Sequence, residues 1–313
     1  MDYIPLPDNA ARQAIDSFTI FTEWRKAVMA ARPYAGGMYF KKEGAYEYLV
    51  KTAPNNQQQR LGRRTPDTEA TLDAFTRNKR STEERRKSLD EALIEATRLN
   101  KALKVGRAPN IVVSVLNALE DADLGQHFTV VGTHALYVYE TAASVRIVQG
   151  ALATQDVDLL WDARKRVQFL ATMQRLHRSV LSVLQEVEPT FRRMDDQLET
   201  AIDAKGFQVD FLRRETAEGD QHPFRFTDDE EDLWPVQARR AEQFLSAPRF
   251  EQPVISTTGR MALVRTVDPQ VFVDFKRWMS GLQDRPPGKR RRDERQASIV
   301  QKLLDEGLLR ASA

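Results

Sequence analysis

The sequence contains no cysteine among its 313 residues. Disulfides, thiolate metal sites and cysteine nucleophiles are therefore excluded. Histidine is scarce, and its positions show none of the paired spacings that bind zinc, so the sequence does not indicate a zinc site. The histidines are His127, His134, His177 and His222.

Long apolar runs are also missing, since no segment approaches the ~18 consecutive apolar residues of a membrane span. The first residues, M-D-Y-I-P-L-P-D, lack a basic start followed by an apolar segment, so we expect no signal peptide. Neither sign of charge dominates, with 47 Lys and Arg against 45 Asp and Glu. We therefore expect a soluble cytoplasmic protein in which any nucleic-acid contact depends on a local basic patch.

In the first hundred residues the sequence predicts one hairpin and one long helix. Aromatic runs flank Lys42-Glu43-Gly44, which predicts a β-hairpin in which Gly44 has a positive φ angle. The polar segment 55–65 is interpreted as a loop. Ser81 and Glu84 have the spacing of a capping box, and the leucines after them keep a helical period, which predicts a helix over about 82–104.

From residue 111 onward the patterns alternate between helices and strands. Predicted helices cover 111–119, 134–144 and 164–186, and predicted strands cover 128–131, 153–161 and 207–212. The acidic segment after Thr216 predicts an exposed loop, and a hairpin is predicted around Thr257-Thr258-Gly259-Arg260. Asp268 and Pro269 predict a helix start, as N-cap and first helical residue, and a last helix is predicted up to about Leu309.

Residues 154–161, T-Q-D-V-D-L-L-W, carry the most informative pattern. Side chains alternate between the faces of a strand, so Asp156 and Asp158 point to one side while Val157 and Leu159 point into a core. Two carboxylates so close repel each other unless a cation neutralises them, and Mg²⁺ prefers hard oxygen ligands of this kind. Alone the pattern is weak evidence, because Asp-x-Asp is common by chance and is also used by metal-dependent glycosyltransferases.

A third carboxylate follows the same logic in F-Q-V-D-F-L, residues 207–212. Alternation buries the hydrophobic residues of this segment and leaves Asp210 on the opposite face. If the two strands are neighbours, Asp210 joins the other aspartates, and three such residues can hold two metal ions. The alternative is that Asp210 is simply an exposed strand residue.

Upstream, V-V-G-T-H-A-L-Y-V-Y-E (130–140) predicts a strand, a turn and a helix. Gly132 lets a phosphate approach the backbone, and the helix N-terminal amides and the Thr133 hydroxyl can bind phosphate oxygens. Such a turn is weak evidence by itself. We interpret His134 as a structural or capping residue rather than a catalytic base.

Taken in order, Gly132-Thr133, Asp156-x-Asp158 and Asp210 resemble the pattern of the DNA polymerase β-like nucleotidyltransferase superfamily. More narrowly, the chain resembles a bacterial family of nucleotidyltransferase-fold proteins over most of its length. The segments that carry this resemblance include L-G-R-R-T-P-D-T-E at 61–69, K-G-F-Q-V-D-F-L at 205–212, V-D-P-Q-V-F-V-D-F-K-R-W-M-S at 267–280 and D-R-P-P-G-K-R-R-R-D-E-R-Q-A at 284–297. A more distant likeness is to the abortive-infection nucleotidyltransferase toxins.

The resemblance implies an α/β (α+β) fold, with a mixed sheet flanked by helices. It implies three parts: an N-terminal hairpin and helical extension (1–108), a nucleotidyltransferase core (109–225) and a C-terminal hairpin and helical subdomain (226–313). Thr133 stands where many superfamily members have Ser. The separation of Gly132 and Asp156 is longer than in compact members, which predicts an additional helix or strand between them.

The resemblance also implies a reaction, in which NMP is transferred from an NTP to an acceptor hydroxyl with two Mg²⁺ or Mn²⁺ ions. Asp156, Asp158 and Asp210 would be the catalytic metal ligands. The nucleotide would be bound by Gly132, Thr133, Lys276, Lys289 and Arg292, with Arg285 as a weaker candidate. The acceptor would be an RNA 3′ end, such as that of tRNA, or a protein, and a toxin-like member would have an antitoxin-like partner.

Other interpretations stay open at this point. The basic run at Lys289–Arg292 is equally well read as a solvated linker between helices. The chain is alternatively a non-catalytic module that binds NTP or a partner. A third reading is a nucleic-acid-binding regulator that uses this run and the basic stretch Lys79–Arg86.

Overall fold

The computed structural model describes residues 2–311, and about half of them are helical. The α-helices in this range are α1 (Asp8–Ala31), α2 (Pro66–Ala102), α3 (Asn110–Asp121), α4 (Ala135–Ala142), α5 (Gln149–Leu152), α6 (Arg166–Leu176), α7 (Val180–Val187), α8 (Ala241–Ser246), α9 (Pro269–Ser280) and α10 (Pro287–Asp305). The strands are β1 (Tyr3–Pro5), β2 (Gly37–Glu43), β3 (Tyr46–Thr52), β4 (Gln58–Arg63), β5 (Phe128–Val131), β6 (Val145–Ile147), β7 (Asp156–Trp161), β8 (Arg192–Arg193), β9 (Thr200–Ile202), β10 (Gln208–Arg213), β11 (Val236–Gln237), β12 (Arg249–Ile255) and β13 (Met261–Val267). Within residues 2–311, no helix is both long and apolar enough to cross a membrane.

The chain divides into two compact units. One unit is formed by Arg12–Leu103, and the other by the residues before Arg12 together with those from Lys104 onward. The three-part division predicted from the sequence, with boundaries after residues 108 and 225, stays a prediction.

In the Arg12–Leu103 unit, the part of α1 from Arg12 onward lies antiparallel to α2. Ser17 donates a hydrogen bond to Asn100 at 2.7 Å, and the Trp24 indole N–H donates to Asp90 at 2.7 Å, so the two helices meet in opposite chain directions. Strands β2, β3 and β4 form an antiparallel sheet. The hairpin predicted around Gly44 is confirmed, with φ +63° at that residue.

Two predictions in this unit are wrong. The polar segment 55–65 contains strand β4, whose polar side chains are mostly exposed at the edge of the sheet and therefore give no apolar alternation. The long helix does not start at a capping box of Ser81 and Glu84. It starts at Pro66, where the Thr65 side chain accepts from the Thr68 amide and the Thr68 side chain bonds back to the Thr65 amide.

The larger unit is built on a mixed sheet with the strand order β12-β13-β5-β7-β10-β9-β8, and β11 pairs with β10. β5 is antiparallel to β7, whereas β7 is parallel to β10. The central strands are rich in β-branched and aromatic residues, and their buried side chains pack against α3, α6 and α7. The predicted α+β fold with a mixed sheet and flanking helices is confirmed.

The segment between the Gly132 turn and β7 holds the additional elements that the sequence predicts, β6 and the short helix α5. The helix predicted over 164–186 is instead two helices. α6 ends at His177, which has a left-handed conformation with φ +50°, and Ser179 then caps α7 by accepting from the Ser182 amide. Hydrophobic periodicity continued across this break because both helices bury residues in the same core.

The prediction of an exposed loop after Thr216 is wrong in part. The segment is largely irregular, yet Phe224 and Phe226 are buried, and the Phe224 ring stacks on Trp161 with centroids 4.5 Å apart. Acidic neighbours concealed these two core residues in the sequence. The hairpin around residues 257–260 is confirmed by β12 and β13, and Asp268 caps α9 as predicted by accepting from the Gln270 amide at 2.8 Å.

Candidate active site

Strand β7 supplies two carboxylates to one face of the sheet. Val157 and Leu159 are completely buried in the core, while Asp156 and Asp158 are half-buried on the opposite side. Because side chains alternate along a strand, the two aspartates project in the same direction. The buried side chains hold β7 in place, and the alternation along β7 then sets the direction of both carboxylates.

Strand β10 brings the third carboxylate beside them. In the parallel register of β7 and β10, Asp158 lies directly opposite Asp210. The carboxylate oxygens of Asp156, Asp158 and Asp210 come within 4.8 Å of one another. The strands are neighbours, as the sequence argument required, and three carboxylates converge on one point.

Threonine side chains orient two of these carboxylates. Thr154 donates a hydrogen bond to Asp156 Oδ1. Thr200, a buried residue of β9, donates to Asp210 Oδ1 at 2.6 Å. Each hydrogen bond to a charged oxygen favours one side-chain orientation, and the second oxygen of each carboxylate stays available to a cation.

Two of the carboxylates, Asp158 and Asp210, have a pKa above the ordinary value of an aspartate. Burial, with the neighbouring charges of Asp156 and Asp210, raises the pKa of Asp158 to about 7. Burial also raises the pKa of Asp210, against the opposing effect of the Thr200 hydrogen bond. Like charges held together in a half-buried place are costly, and a divalent cation removes that cost.

The turn after β5 approaches the same point. Val131, the last residue of β5, lies opposite Asp158 in the antiparallel register, so the chain turns at Gly132 next to the carboxylates. Gly132 has φ +68°, a conformation that side chains disfavour. A Cβ atom there would lie 2.2 Å from Asp158 Oδ2, so only glycine leaves the carboxylate in place.

Thr133 is held from the C-terminal helix. Its Oγ1 accepts a hydrogen bond at 3.2 Å from Gln296 Nε2, which also donates to the Ala151 carbonyl at 2.7 Å. Since the acceptor role of Thr133 is filled, its hydroxyl proton is free to be donated to a ligand. Gln296, on α10, was missed in the sequence. The pattern that could have identified it is a polar residue on the apolar stripe of the helix, beside Ala297 and Val300. All three residues are buried.

A basic wall is formed by Lys276 of α9, Arg285 of the connecting segment, and Lys289 and Arg292 of α10. Two of these residues contact a buried aspartate, Asp293. Lys276 Nζ lies 2.9 Å from Asp293 Oδ1, and Arg285 Nε lies 2.5 Å from Asp293 Oδ2. Burial lowers the pKa of Lys276, while Asp293 acts in the opposite direction. Asp293 is fully buried and was also missed in the sequence, although it too stands on the apolar stripe of α10.

The Gly132 turn, the three aspartates, Lys276 and Arg285 line one cavity of about 540 Å³, a size typical of small-molecule sites. All eight residues predicted for the site line it: Gly132, Thr133, Asp156, Asp158, Asp210, Lys276, Lys289 and Arg292. The linker interpretation of Lys289–Arg292 is wrong, because the run lies in the first turns of α10. The cavity also has an apolar lining, formed by Leu212, Phe244, Phe275, Trp278, Met279 and Leu282.

The sequence profile of a family described as nucleotidyltransferase matches residues 110–312, well over half of the chain. The chain belongs to this nucleotidyltransferase family. Searches among curated proteins and among solved structures found no match. The matched residues include the turn, the three aspartates and the basic wall.

Membership of a nucleotidyltransferase family implies an NTP substrate, and divalent metal ions are typical of this chemistry. The donor set of this nucleotidyltransferase fits such ions. Its three carboxylates supply hard oxygen ligands at one point, and among residues 2–311 they are the group of acidic or histidine side chains that can hold a metal.

His134 of the nucleotidyltransferase follows the turn and is not among the residues that line the cavity. It is buried, and burial lowers its pKa to about 4, so the imidazole is neutral near pH 7 and a weak proton acceptor. Its ring packs edge-on against Tyr137, with centroids 5.7 Å apart. These contacts agree with a structural role.

Proposed function

We propose that this nucleotidyltransferase transfers NMP from an NTP to an acceptor hydroxyl, with two divalent metal ions bound by Asp156, Asp158 and Asp210. The observation that carries the proposal is the meeting of three carboxylates, a glycine turn and a basic wall in one cavity. A carboxylate cluster alone would attract only cations. Basic groups that line the same cavity make it suitable for a metal-bound polyphosphate.

The triphosphate is bound between the turn and the basic wall. Gly132 allows close approach of the backbone, and Thr133 donates its hydroxyl to a phosphate oxygen. Lys276, Lys289 and Arg292 face the phosphates from the other side. Of these three, Lys276 is buried, and its charge interacts strongly with phosphate because little water screens it.

The chemistry is an in-line displacement at the α-phosphorus. The acceptor oxygen forms a bond to this phosphorus, the bond to the bridging β-phosphate oxygen breaks, and pyrophosphate leaves. Asp210, whose pKa is raised by burial, takes the proton of the acceptor hydroxyl. The bound cations would neutralise the developing charge and make that hydroxyl more acidic.

The acceptor is an RNA 3′ end, such as that of tRNA, or a protein hydroxyl. A toxin-like role with a cognate inhibitor belongs to the same hypothesis, through the distant likeness to abortive-infection toxins.

The test is an incorporation assay. Purified protein is incubated with each α-³²P-labelled NTP, with Mg²⁺ or Mn²⁺, and with a cell extract that contains RNA and protein. Asp158→Asn removes one metal-binding oxygen with little change of shape. Asp195→Asn is the matched control, because Asp195 is an exposed carboxylate outside the cavity.

Label on an RNA or protein band that is retained in Asp195→Asn and lost in Asp158→Asn supports the transferase and gives the acceptor class. Metal-dependent NTP binding with no incorporation for any nucleotide favours the non-catalytic binding module instead. Incorporation that survives Asp158→Asn would exclude the proposed site.

A further inference from the structure

The sheet of the Arg12–Leu103 unit presents aromatic and basic side chains on one face. Directly paired residues of neighbouring strands share a face. The pairs Lys41–Tyr48 and Tyr48–Arg63 therefore place a tyrosine between two basic residues. By pairing and two-residue alternation this face, which we call the tyrosine–arginine face, carries Tyr39, Lys41, Glu43, Tyr46, Tyr48, Val50, Arg60 and Arg63. Val50 is buried, and the other side chains are at least partly exposed.

Guanidinium groups stack on the tyrosine rings of this face. The guanidinium carbon of Arg63 lies 4.2 Å from the centre of the Tyr46 ring, and that of Arg60 lies 4.0 Å from the Tyr48 ring. A stacked guanidinium is held in place yet keeps N–H groups at its edge, which suit phosphate oxygens. The Tyr46–Arg63 pair therefore combines an aromatic surface with a phosphate donor, whereas Arg60 also contacts the Glu43 carboxylate.

The opposite face has an ordinary role in the core. Leu49 is fully buried there, and the Lys51 amine lies over the Phe75 ring of α2 at 5.9 Å. By contrast, Tyr46 is 52% exposed and Tyr39 is 40% exposed. Grouped aromatic residues that stay exposed contribute little to folding, and such patches mark interaction sites.

Charge indicates which partner fits. The basic residues of this face are Lys41, Arg60 and Arg63, and its acidic residue is Glu43, although the net charge of the whole chain is only +2. Glu43 pairs with Arg60 and, at 3.4 Å, with Lys41, but one carboxylate cannot neutralise three basic side chains. On α2 the balance differs, since Arg80 pairs with Glu84 at 2.8 Å and most of its basic stretch has acidic neighbours.

We propose that the tyrosine–arginine face binds single-stranded nucleic acid. Bases stack on tyrosine rings without regard to sequence, and the arginines contact the backbone phosphates. A duplex keeps its bases stacked on one another, so it cannot use the rings. This binding does not rest on nucleotidyl transfer, because it needs neither NTP nor the aspartates.

The test is fluorescence anisotropy with the full-length protein and a labelled ten-nucleotide strand, as RNA and as DNA, in EDTA and without NTP. Tyr46→Ala and Arg63→Ala are each expected to weaken binding about 5- to 100-fold. Arg63→Ala also lowers the slope of log K against log salt by about 1, while Tyr46→Ala leaves it unchanged. Tyr46→Phe keeps the ring and the affinity.

Lys42→Ala is the matched control, because Lys42 is an exposed lysine of the same strand that alternates to the opposite face. It is expected to leave the affinity within about twofold of the parent. Asp158→Asn should bind the strand normally, which separates this surface from the proposed reaction. The proposal fails if the parent protein binds neither RNA nor DNA strands, if a duplex binds as tightly, or if Lys42→Ala is as damaging as Arg63→Ala. It also fails if Tyr46→Ala changes the oligomeric state, since a second copy of the chain would then be the occupant.

Discussion

A Cβ atom on Gly132 would lie 2.2 Å from Asp158 Oδ2 and 3.3 Å from its carboxyl carbon. Gly132 is therefore next to the carboxylate of Asp158, which belongs to β7, the strand between β5 and β10. The constraint is mutual, since any residue other than glycine at this turn must displace the end of the Asp158 side chain. The turn and the carboxylate therefore form one structural feature.

Gly132→Ala is expected to lose metal affinity rather than the fold. The displaced Asp158 no longer meets the other carboxylates, and disturbed ligand orientation typically costs about 10- to 100-fold in metal affinity or activity. The left-handed backbone adds a stability cost of roughly 1–2 kcal/mol. Titration with Mn²⁺ and thermal melting measure the two effects separately.

Gly44→Ala is the control for this experiment. Gly44 has a similar φ of +63°, but a Cβ atom there would meet nothing within 4 Å. It should show the stability loss alone. Equal loss of activity in both variants would mean that the contact with Asp158 is unimportant.

Asp158 predicts a pH dependence of stability in the metal-free protein. Its pKa is raised to about 7 from an ordinary value of 3.8, so the folded state binds more protons than the unfolded state between these values. The contribution of this group to stability is fully present below pH 3.8 and is lost as the pH rises through about 7. At pH 8 in EDTA, Asp158→Asn should therefore be more stable than the parent, by a few kcal/mol at most.

Thermal melting between pH 4 and pH 8 checks this prediction as the difference between the two proteins, which removes the titration of other groups. Mg²⁺ or Mn²⁺ should stabilise the parent at pH 8 and stabilise Asp158→Asn much less. A variant that melts below the parent at pH 8 in EDTA would contradict the prediction.

From the buried pair of Lys276 and Asp293 we predict that stability can be restored by a second substitution while activity is not. Asp293→Asn leaves a buried ammonium without its counter-charge and should cost about 3–5 kcal/mol. Lys276→Met should cost less, because Arg285 still pairs with Asp293 at 2.5 Å. The double variant Lys276→Met/Asp293→Leu removes both buried charges, so it should recover most of the stability while nucleotide transfer stays lost.

Urea denaturation of the three variants measures these differences, and the incorporation assay measures activity. If the double variant regained activity together with stability, Lys276 would serve only the fold. If the double variant regained neither stability nor activity, Lys276 and Asp293 would support the fold through more than their contact with each other.

The sequence predicted the acidic side of the site because strand periodicity is local. Two-residue alternation orients Asp156 and Asp158, and the same rule applied to a second strand adds Asp210. Other residues near the site have roles that depend on contacts with distant parts of the chain. Gln296 acts through Thr133, 163 positions away in the chain, and no local pattern gives that partner.

The misplaced elements have a similar cause. β4 is an edge strand with polar side chains, so its hydrogen bonds to β3 rather than its hydrophobicity make it a strand. Phe224 and Phe226 join the core from an irregular acidic segment, because tertiary packing outweighed the local composition. Periodicity detects only elements that bury one face.

Gln296 allows a last prediction, about the direction of one hydrogen bond. The Ala151 carbonyl can only accept, so the Gln296 atom that faces it is the amide nitrogen, and the same nitrogen donates to Thr133. Gln296→Glu keeps the shape but reverses the role, because the carboxylate would accept the Thr133 hydroxyl proton that a phosphate needs. Losing one hydrogen bond of about 0.5–1.5 kcal/mol should raise the Kd for NTP about 2- to 10-fold.

Gln296→Met is the comparison, since it removes the donor without competing for the proton. It should weaken NTP binding less than Gln296→Glu does. Thr133→Val should weaken binding further in the Gln296→Met background but not in the Gln296→Glu background, where the Thr133 hydroxyl proton is already engaged. Equilibrium binding of each variant, with NTP and metal present, measures the order. If Gln296→Glu bound NTP as tightly as the parent, the Thr133 hydroxyl would not donate to the phosphate, and its contact with Gln296 would only fix α10 against the turn.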